Sequence, residues 1–400
     1  MISASPPGPG RFLPLALTLI ALVLGGCSSE PPALRVGGVA FSQEDLLGIS
    51  ESRLEILESL VLFGAAVSAG NLEAVAAPLG ERAEVEDLAR ALRVEELLTE
   101  AGVETAVLEE RYRTNPSFEL TVRHLVVLSE RYETEETRGA ARERAAAGLA
   151  RIQAGEDFPT VAGEVSEEPG AADRGGLLQP GREGTWVDEF WTAASALRVG
   201  QVSPVVESPF GFHVLRLEAR DTVPFPEVRD RVAREVGAMI GPLPSSIDDA
   251  PLPEGLVATP DGEDGVMARF DGGEIAEADL RLWAATLPAA RWDAFLAADT
   301  SAREEALNRA ARARDVRARG TAAEITPDPL AGRGAREAWA RGAQGWAAAL
   351  GFTPGLRGEA LGDAALQALG RGGQSAELAR RDIHEARPLL ELHMGSGEGA

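Results

Sequence analysis

The sequence contains no lysine, one cysteine and only four histidines in 400 residues. With Cys27 as the single cysteine, a disulfide within the chain is excluded, so packing must stabilise the folded parts. The basic residues are therefore all arginines, 39 of them against 63 acidic residues, for a formal net charge of -24. This charge repels a phosphate backbone, so nucleic acid is not an expected partner.

Motifs for cofactors and metals are also missing. The chain has no Walker, Rossmann, zinc or serine-nucleophile motif in the context that each requires. Two of the four histidines, His384 and His393, lie near the carboxy terminus without a matching set of metal ligands. We therefore expect neither a cofactor nor a bound metal.

The amino terminus resembles the export signal of a bacterial lipoprotein. Arg11 precedes an apolar run over residues 12–24, which has the length of a secretory signal and is too short for a confident membrane span. The run ends in Leu-Gly-Gly directly before Cys27, like a lipobox, and no aspartate follows. We predict a signal peptide over 1–26, a lipidated Cys27 with a tether over 27–33, and anchoring in the cell envelope. The expected site is the outer membrane facing the periplasm or, in a monoderm cell, the extracytoplasmic face of the membrane.

The remaining chain divides by pattern into four regions. Apolar residues at three- and four-residue steps predict a mainly helical region over 34–118. Strand and helix signals alternate over 119–220 and predict an α+β domain with an antiparallel sheet. A connecting helix and an acidic linker rich in proline and glycine follow over 221–265, and residues 266–400 are again predicted to be helical. The predicted order is consistent with amino- and carboxy-terminal helices that pack into one module.

A strand-turn-helix signal occurs twice outside the central domain. Residues 36–46 and 270–280 share a Gly-Gly pair, a following apolar residue and an acidic segment that ends in Asp-Leu. The first copy predicts a helix from about Gln43, because Ser42 is a suitable N-cap. The two copies are either a duplicated unit or a recurring turn-to-helix signal.

Two histidine motifs in the central region carry the functional evidence. Residues 123–126 read Arg-His-Leu-Val and residues 210–213 read Phe-Gly-Phe-His, and a Gly-Gly turn at 175–176 lies between them. Each histidine adjoins an apolar strand, so the two imidazoles of His124 and His213 can share a small pocket. Without further context, a lone histidine in a strand is more often a satisfied core residue.

These motifs and their spacing resemble the parvulin family of peptidyl-prolyl cis-trans isomerases, particularly the exported SurA and PrsA types. The resemblance includes residues 155–158 followed by Ser166, the pair Trp186 and Phe190, and the stretch 200–205. It covers about a quarter of the chain. The turn at 175–180 departs from the family because it lacks the usual aspartate, last glycine and aromatic residue. The resemblance implies an antiparallel four-stranded sheet with surrounding helices, flanked by mainly α-helical regions.

The resemblance also implies roles for individual residues. The catalytic positions are His124, His213 and Glu168, where Glu168 replaces the aspartate or cysteine that the family carries. The substrate-binding positions, which would contact the proline ring, are Trp186, Phe190, Phe210 and Leu178. Without the family pattern, the tryptophan and phenylalanine four residues apart would be assigned to core packing, and Glu168 to a solvated loop.

The implied function is isomerisation of X-Pro bonds in unfolded or partly folded exported polypeptides. No covalent step is required, because a pocket that binds the twisted prolyl amide better than either planar form lowers the barrier. The flanking helical regions would hold the client chain. The alternative is a catalytically weak or inactive parvulin-derived chaperone or envelope-assembly lipoprotein that binds peptides without isomerising them.

Overall fold

A computed structural model describes residues 32–129, 134–259 and 265–395. The predicted signal peptide, the lipidation site Cys27 and most of the tether lie outside these residues. The chain divides into two compact units, of which one is Glu95–Gly241 and the other combines the described residues up to Val94 with those from Pro242 onward. Within the described ranges, no helix has both the length and the apolar character needed to cross a bilayer.

Helices predominate in the described residues. Helices α1 to α16 span, in order, Glu51–Ala69, Leu72–Val75, Ala77–Glu100, Thr105–Thr114, Glu135–Gln153, Phe158–Val165, Ala171–Arg174, Asp188–Ala196, Phe225–Ile240, Glu277–Ala284, Ala289–Leu296, Thr300–Ala322, Pro329–Leu350, Gly358–Gly370, Gln374–Glu385 and Arg387–Gly395. Strands β1 to β8 span Leu34–Val36, Val39–Phe41, Phe118–Leu128, Val206–Ser208, Gly211–Thr222, Val257–Ala258, Val266–Phe270 and Gly273–Ala276. A short 3-10 helix covers Ile247–Asp249.

The unit built from both ends of the chain has a shared hydrophobic core. Leu57 and Phe63 of α1 are fully buried and pack with residues of the carboxy-terminal helices, including Trp292 and Leu390. The Phe63 ring also meets Phe352 edge-on, with centroids 5.7 Å apart. Segments that are remote in sequence therefore depend on one another for burial of their apolar faces.

The repeated sequence signal forms a β-hairpin in both places. Strands β1 and β2 pair antiparallel across the first Gly-Gly, and β7 and β8 pair across the second. In the first copy the Ser42 N–H donates to the Asp45 carboxylate over 2.7 Å and the Asp45 N–H donates to Ser42 Oγ over 3.2 Å. These reciprocal bonds close a turn, and Gly48 follows at φ +78°.

The prediction of a helix from Gln43 is therefore wrong, because the chain turns at this point and α1 begins only at Glu51. In the second copy the corresponding acid, Asp279, accepts from the Ala276 N–H over 3.0 Å, and helix α10 does begin directly at Glu277. The same local signal thus starts a helix in only one of its two positions.

The central unit contains an antiparallel sheet with strand order β3-β5-β4. This sheet has three strands, so the prediction of a four-stranded sheet is wrong. The segment 176–181 does run beside the free edge of β3, but it contributes only isolated bridges, from Leu177 to Arg123 and from Gly181 to Leu120. A regular ladder does not form because Gly176 has φ +75° and Pro180 has no N–H to donate.

Helices cover both faces of this sheet. Leu125, Val127 and Phe212 point to one face and pack against helices α5 and α6. On the opposite face, Leu215 and Leu217 pack against Phe190 and other residues of α8. The sheet is therefore buried on both sides, as the apolar composition of β3 and β5 requires. The α8 face carries the candidate site.

Candidate active site

The register of β3 and β5 brings the two histidines together. Val126 lies opposite His213 and His124 lies opposite Leu215, so the histidines are diagonal neighbours on one face of the sheet. Their rings are stacked, with centroids 5.8 Å apart and an interplanar angle of 19°. Phe190 meets both rings edge-on at 5.6 Å. Both histidines are 6% exposed, so the predicted shared pocket is a buried cluster of three rings.

The Gly-Gly turn allows the neighbouring loop to approach His124. Gly176 accepts a hydrogen bond from the His124 N–H over 2.8 Å. A Cβ at Gly176 would lie 2.1 Å from the His124 carbonyl oxygen, and its φ of +75° is itself unfavourable for a residue with a side chain. Arg123 holds the turn from the other side, because its Nη1 donates to the carbonyl oxygens of Arg174 and Gly175 over 2.8 and 2.7 Å.

Ser166 attaches the loop that carries Glu168 to the edge of β3. The Ser166 hydroxyl accepts from the Val126 N–H over 3.1 Å, and the Glu167 N–H donates to the Val126 carbonyl over 2.8 Å. This attachment brings the Glu168 carboxylate within 3.0 Å of His124 Nε2. The same carboxylate oxygen lies 3.0 Å from Nη2 of Arg174. The longer side chain of glutamate thus reaches the imidazole from this loop.

Ser208 is the corresponding polar partner of His213, and no sequence pattern had identified it. Its hydroxyl lies 2.7 Å from His213 Nε2 and accepts from the Phe210 N–H over 3.1 Å. Gly211 makes this corner possible, because it has φ +139° and a Cβ there would lie 2.2 Å from the Val127 carbonyl oxygen. A serine three residues before a Gly-x-His strand start is the signal that would have identified it.

Burial keeps both imidazoles neutral. Loss of solvation, together with a smaller effect of the nearby His124, lowers the pKa of His213 to about 4. Burial also lowers the pKa of His124, although the hydrogen bond to Glu168 acts in the opposite direction. Because a carboxylate only accepts hydrogen bonds, Nε2 of His124 carries its proton. The Nδ1 atoms of both histidines are buried without a hydrogen-bond partner in the described part of the protein.

The predicted apolar residues extend from this cluster to the surface. The Trp186 and Phe190 rings are tilted with centroids 5.1 Å apart, and Trp191, which the sequence had not indicated, lies 6.1 Å from Trp186. Leu178 is half-buried and packs in the same cluster. Phe210 is 54% exposed. Its backbone N–H bonds to the Ser208 hydroxyl, which lies beside His213, so an exposed phenylalanine adjoins the polar end of the site.

The other histidines lie elsewhere in the chain. His384 Nδ1 is 3.2 Å from the buried Ser59 hydroxyl in the unit built from both chain ends. In the ranges that the structure covers, no group of three or more histidine, cysteine or acidic side chains is arranged to hold a metal ion.

Comparison with known proteins identifies the class of the central region. Residues 124–219 match the family described as "Rotamase: PPIC-type PPIASE domain". This part of the chain is therefore similar to parvulin-type peptidyl-prolyl isomerase domains. The expected resemblance to SurA and PrsA is confirmed as well, since relatives of both names match the chain.

The relatives match only part of their own length. Foldase protein PrsA 4 of Bacillus cereus is 30% identical over 138 residues, which are 34% of this chain and 45% of that protein. Chaperone SurA of Alkalilimnicola ehrlichii is 41% identical over 98 residues, 24% of this chain and 23% of that protein. The crystal structure of the PrsA isomerase from Bacillus cereus aligns over 38% of this chain and 52% of its own, with 27% identity and a TM-score of 0.27.

Proposed function

We propose that the protein is a parvulin-type peptidyl-prolyl cis-trans isomerase that assists the folding of exported polypeptides. The observation that carries the proposal is the arrangement of His124, His213 and Glu168 beside the aromatic side chains of Trp186 and Phe190. Buried neutral imidazoles with fixed hydrogen bonds adjoin an apolar surface that opens to solvent. This combination suits a ligand that presents a proline ring and an amide.

The chemistry requires the amide of an X-Pro bond to twist. A planar amide owes its stiffness to a charge-separated resonance form, and the barrier to rotation is roughly 18–20 kcal/mol. Water stabilises that charged form, whereas a dry apolar pocket favours the twisted and less polar amide. A site that packs the proline ring on Trp186, Phe190, Phe210 and Leu178 therefore binds the transition state in preference to the planar forms. The histidines and Glu168 would fix the polar edge of this pocket, and no covalent step is needed.

We place the protein in the cell envelope. The sequence before Cys27 supports export and lipid attachment, and several acyl chains on one residue give stable anchoring. The proposed location is the outer membrane, facing the periplasm. The clients would be unfolded or partly folded exported chains with X-Pro bonds.

We assign client holding to the residues outside the isomerase domain, namely 34–118 and 266–400. Helices up to Val94 and helices from the carboxy-terminal part of the chain bury a common core, which supports one module, whereas residues 95–118 belong to the unit that contains the isomerase domain. In this proposal the regions 27–33 and 221–265 serve as a tether and a connection.

A second function is favoured by the altered turn. Residues 177–180 read Leu-Leu-Gln-Pro, where the parvulin resemblance leads us to expect an aspartate, a glycine and an aromatic residue. A domain with this turn would bind prolyl peptides and serve as a chaperone with little or no turnover.

A protease-coupled assay on the full-length protein separates the two functions. The wild-type protein should accelerate isomerisation of an X-Pro peptide, and Trp186→Ala should reduce the rate because it removes part of the apolar surface. Trp339→Ala is the matched control, since Trp339 is also half-buried but belongs to the other unit. The wild-type protein could instead be folded and suppress aggregation of an unfolded client while isomerisation stays at the background rate. That result would reject the isomerase function and support the chaperone function.

A further inference from the structure

We propose that Arg174 is a positioning residue that holds the Glu168 carboxylate against His124. The proposal deepens the isomerase function and rests on it. Arg174 was not among the residues that the sequence indicated. Its role follows from one shared atom, because the Glu168 oxygen that contacts His124 Nε2 at 3.0 Å also contacts Arg174 Nη2 at 3.0 Å.

The guanidinium of Arg174 is itself fixed by several acceptors. Besides the carboxylate, Nη2 donates to the Pro169 carbonyl over 3.3 Å, and Nε donates to the Leu177 carbonyl over 3.3 Å. The side chain thus bridges the two ends of the loop between Glu168 and the Gly-Gly turn. A guanidinium suits this position because its planar donors point in fixed and different directions.

The backbone around Arg174 is arranged to allow this contact. Gly170 has φ +77°, and a Cβ there would lie 2.6 Å from Arg174 Nη1, so the arginine folds over a residue without a side chain. The Arg174 carbonyl is in turn held by Arg123 over 2.8 Å. A closed circuit results, in which Arg123 fixes the backbone of Arg174, Arg174 fixes Glu168, and Glu168 fixes the imidazole that follows Arg123 in sequence.

A glutamate at this position needs such a partner. Its side chain has one more rotatable bond than aspartate, and 29% of the Glu168 side chain is exposed, so water competes for the carboxylate. The ion pair with Arg174 offsets this freedom by fixing one oxygen. The positive charge of Arg174 also lowers the pKa of His124, which helps to keep the imidazole neutral.

The preceding acid offers a matched control. Glu167 forms an ion pair with Arg144, and its other oxygen accepts from the Leu128 N–H over 2.8 Å. The pair of Arg144 and Glu167 therefore resembles that of Arg174 and Glu168 in residue types and in exposure, but it contacts no histidine. Loss of Arg144, which lies on helix α5, removes a similar charge and an ion pair to the same loop.

The test uses the full-length protein with Arg174→Gln, Arg174→Lys and Arg144→Gln. Arg174→Gln should lower kcat/KM for a prolyl peptide roughly three- to tenfold, the range expected when a half-exposed ion pair no longer orients a group. Arg174→Lys should recover part of the loss, and Arg144→Gln should match the wild type. ¹⁵N-histidine NMR should show a dominant Nε2–H tautomer for His124 in the wild type and a mixed one in Arg174→Gln.

Unchanged kcat/KM in Arg174→Gln, measured against an active wild type, would overturn the positioning role. If the wild type has no isomerase activity, the proposed function fails and the tautomer decides the present inference separately. In that case a tautomer that shifts in Arg174→Gln, but not in Arg144→Gln, supports the role of Arg174. A tautomer that stays the same in both variants refutes it.

Discussion

Gly176 and His124 are in backbone contact, and this contact determines how close the Gly-Gly loop comes to the candidate site. The His124 N–H donates to the Gly176 carbonyl over 2.8 Å, and a Cβ at Gly176 would lie 2.1 Å from the His124 carbonyl oxygen. The second glycine of the turn is therefore required by the approach to the strand as well as by its backbone angle.

Gly176→Ala should destabilise the central unit far more than Gly184→Ala. Both glycines have positive φ, at +75° and +88°, but a Cβ at Gly184 would meet nothing within 4 Å. Gly184→Ala should thus cost about 1–2 kcal/mol for the left-handed backbone alone. Gly176→Ala adds a clash with backbone and should cost several times as much. Urea unfolding of the two variants measures the difference, and equal losses would show that the contact is unimportant.

Ser208→Ala should destabilise the unit and loosen His213. The hydroxyl is buried, lies 2.7 Å from His213 Nε2 and accepts from the Phe210 N–H. Its removal leaves the buried His213 Nε2 without this partner and breaks the part-buried bond from the Phe210 N–H, at a cost of about 1–3 kcal/mol. Ser195→Ala is the control, because that hydroxyl bonds only within its own helix. Thermal unfolding compares them, and a Ser208→Ala variant as stable as Ser195→Ala would contradict the assigned bond.

Phe210→Ala should weaken peptide binding without affecting stability. Phe210 is 54% exposed and its N–H bonds to the Ser208 hydroxyl beside His213, so its ring contributes little to folding and is available to a ligand. We expect KM for a prolyl peptide to rise about tenfold, which corresponds to the loss of roughly 1.4 kcal/mol of apolar contact. Val199→Ala removes a residue that is 60% exposed and not assigned to the site, and it should leave KM unchanged. Equal changes of KM in the two variants would show that Phe210 does not contact the bound peptide.

Acidification should destabilise the central unit through His213. Burial lowers its pKa from the ordinary 6.5 to about 4, so between these values the unfolded chain binds a proton that the folded protein does not. Stability is complete above pH 6.5 and falls as the pH decreases towards 4, by roughly 3 kcal/mol in total. Hydrogen exchange of amides in β3 and β5 at pH 7 and pH 4.5 measures this loss.

His213→Gln provides the reference for that measurement, because glutamine does not titrate. The variant is expected to be less stable at pH 7 but to lose less stability on acidification than the wild type. The same loss in both proteins would assign the acid sensitivity to other groups, such as His124 or the carboxylates, and would show that His213 is protonated more easily than its burial implies.

Strong periodicity made several elements predictable from sequence. The structure confirms the predicted α+β central region with an antiparallel sheet and the mainly helical regions on both sides of it. The prediction of a helix from Gln43 was wrong, because a capping pair can close an isolated turn as well as begin a helix. The prediction of a fourth strand was wrong because the positive φ of Gly176 and the missing N–H of Pro180 interrupt the segment that runs beside β3.

The polar contacts of the site were the least predictable part. Family spacing indicated His124, His213 and Glu168, and the structure places all three within one cluster. Ser208 and Arg174 gave no comparable signal, since their importance depends on which atoms tertiary folding brings within 3 Å. Local sequence patterns record periodicity and turns, but they do not record such contacts.

The central claim is that this site turns over prolyl bonds, and NMR exchange spectroscopy of an X-Pro peptide tests it most directly. Uncatalysed exchange takes tens to hundreds of seconds, so no cis-trans cross-peaks form during a mixing time of about one second. A catalytic amount of the full-length protein should produce these cross-peaks, and His124→Ala should weaken them. Peptide signals that shift on binding while the cross-peaks stay absent would contradict the isomerase and leave a peptide-binding chaperone.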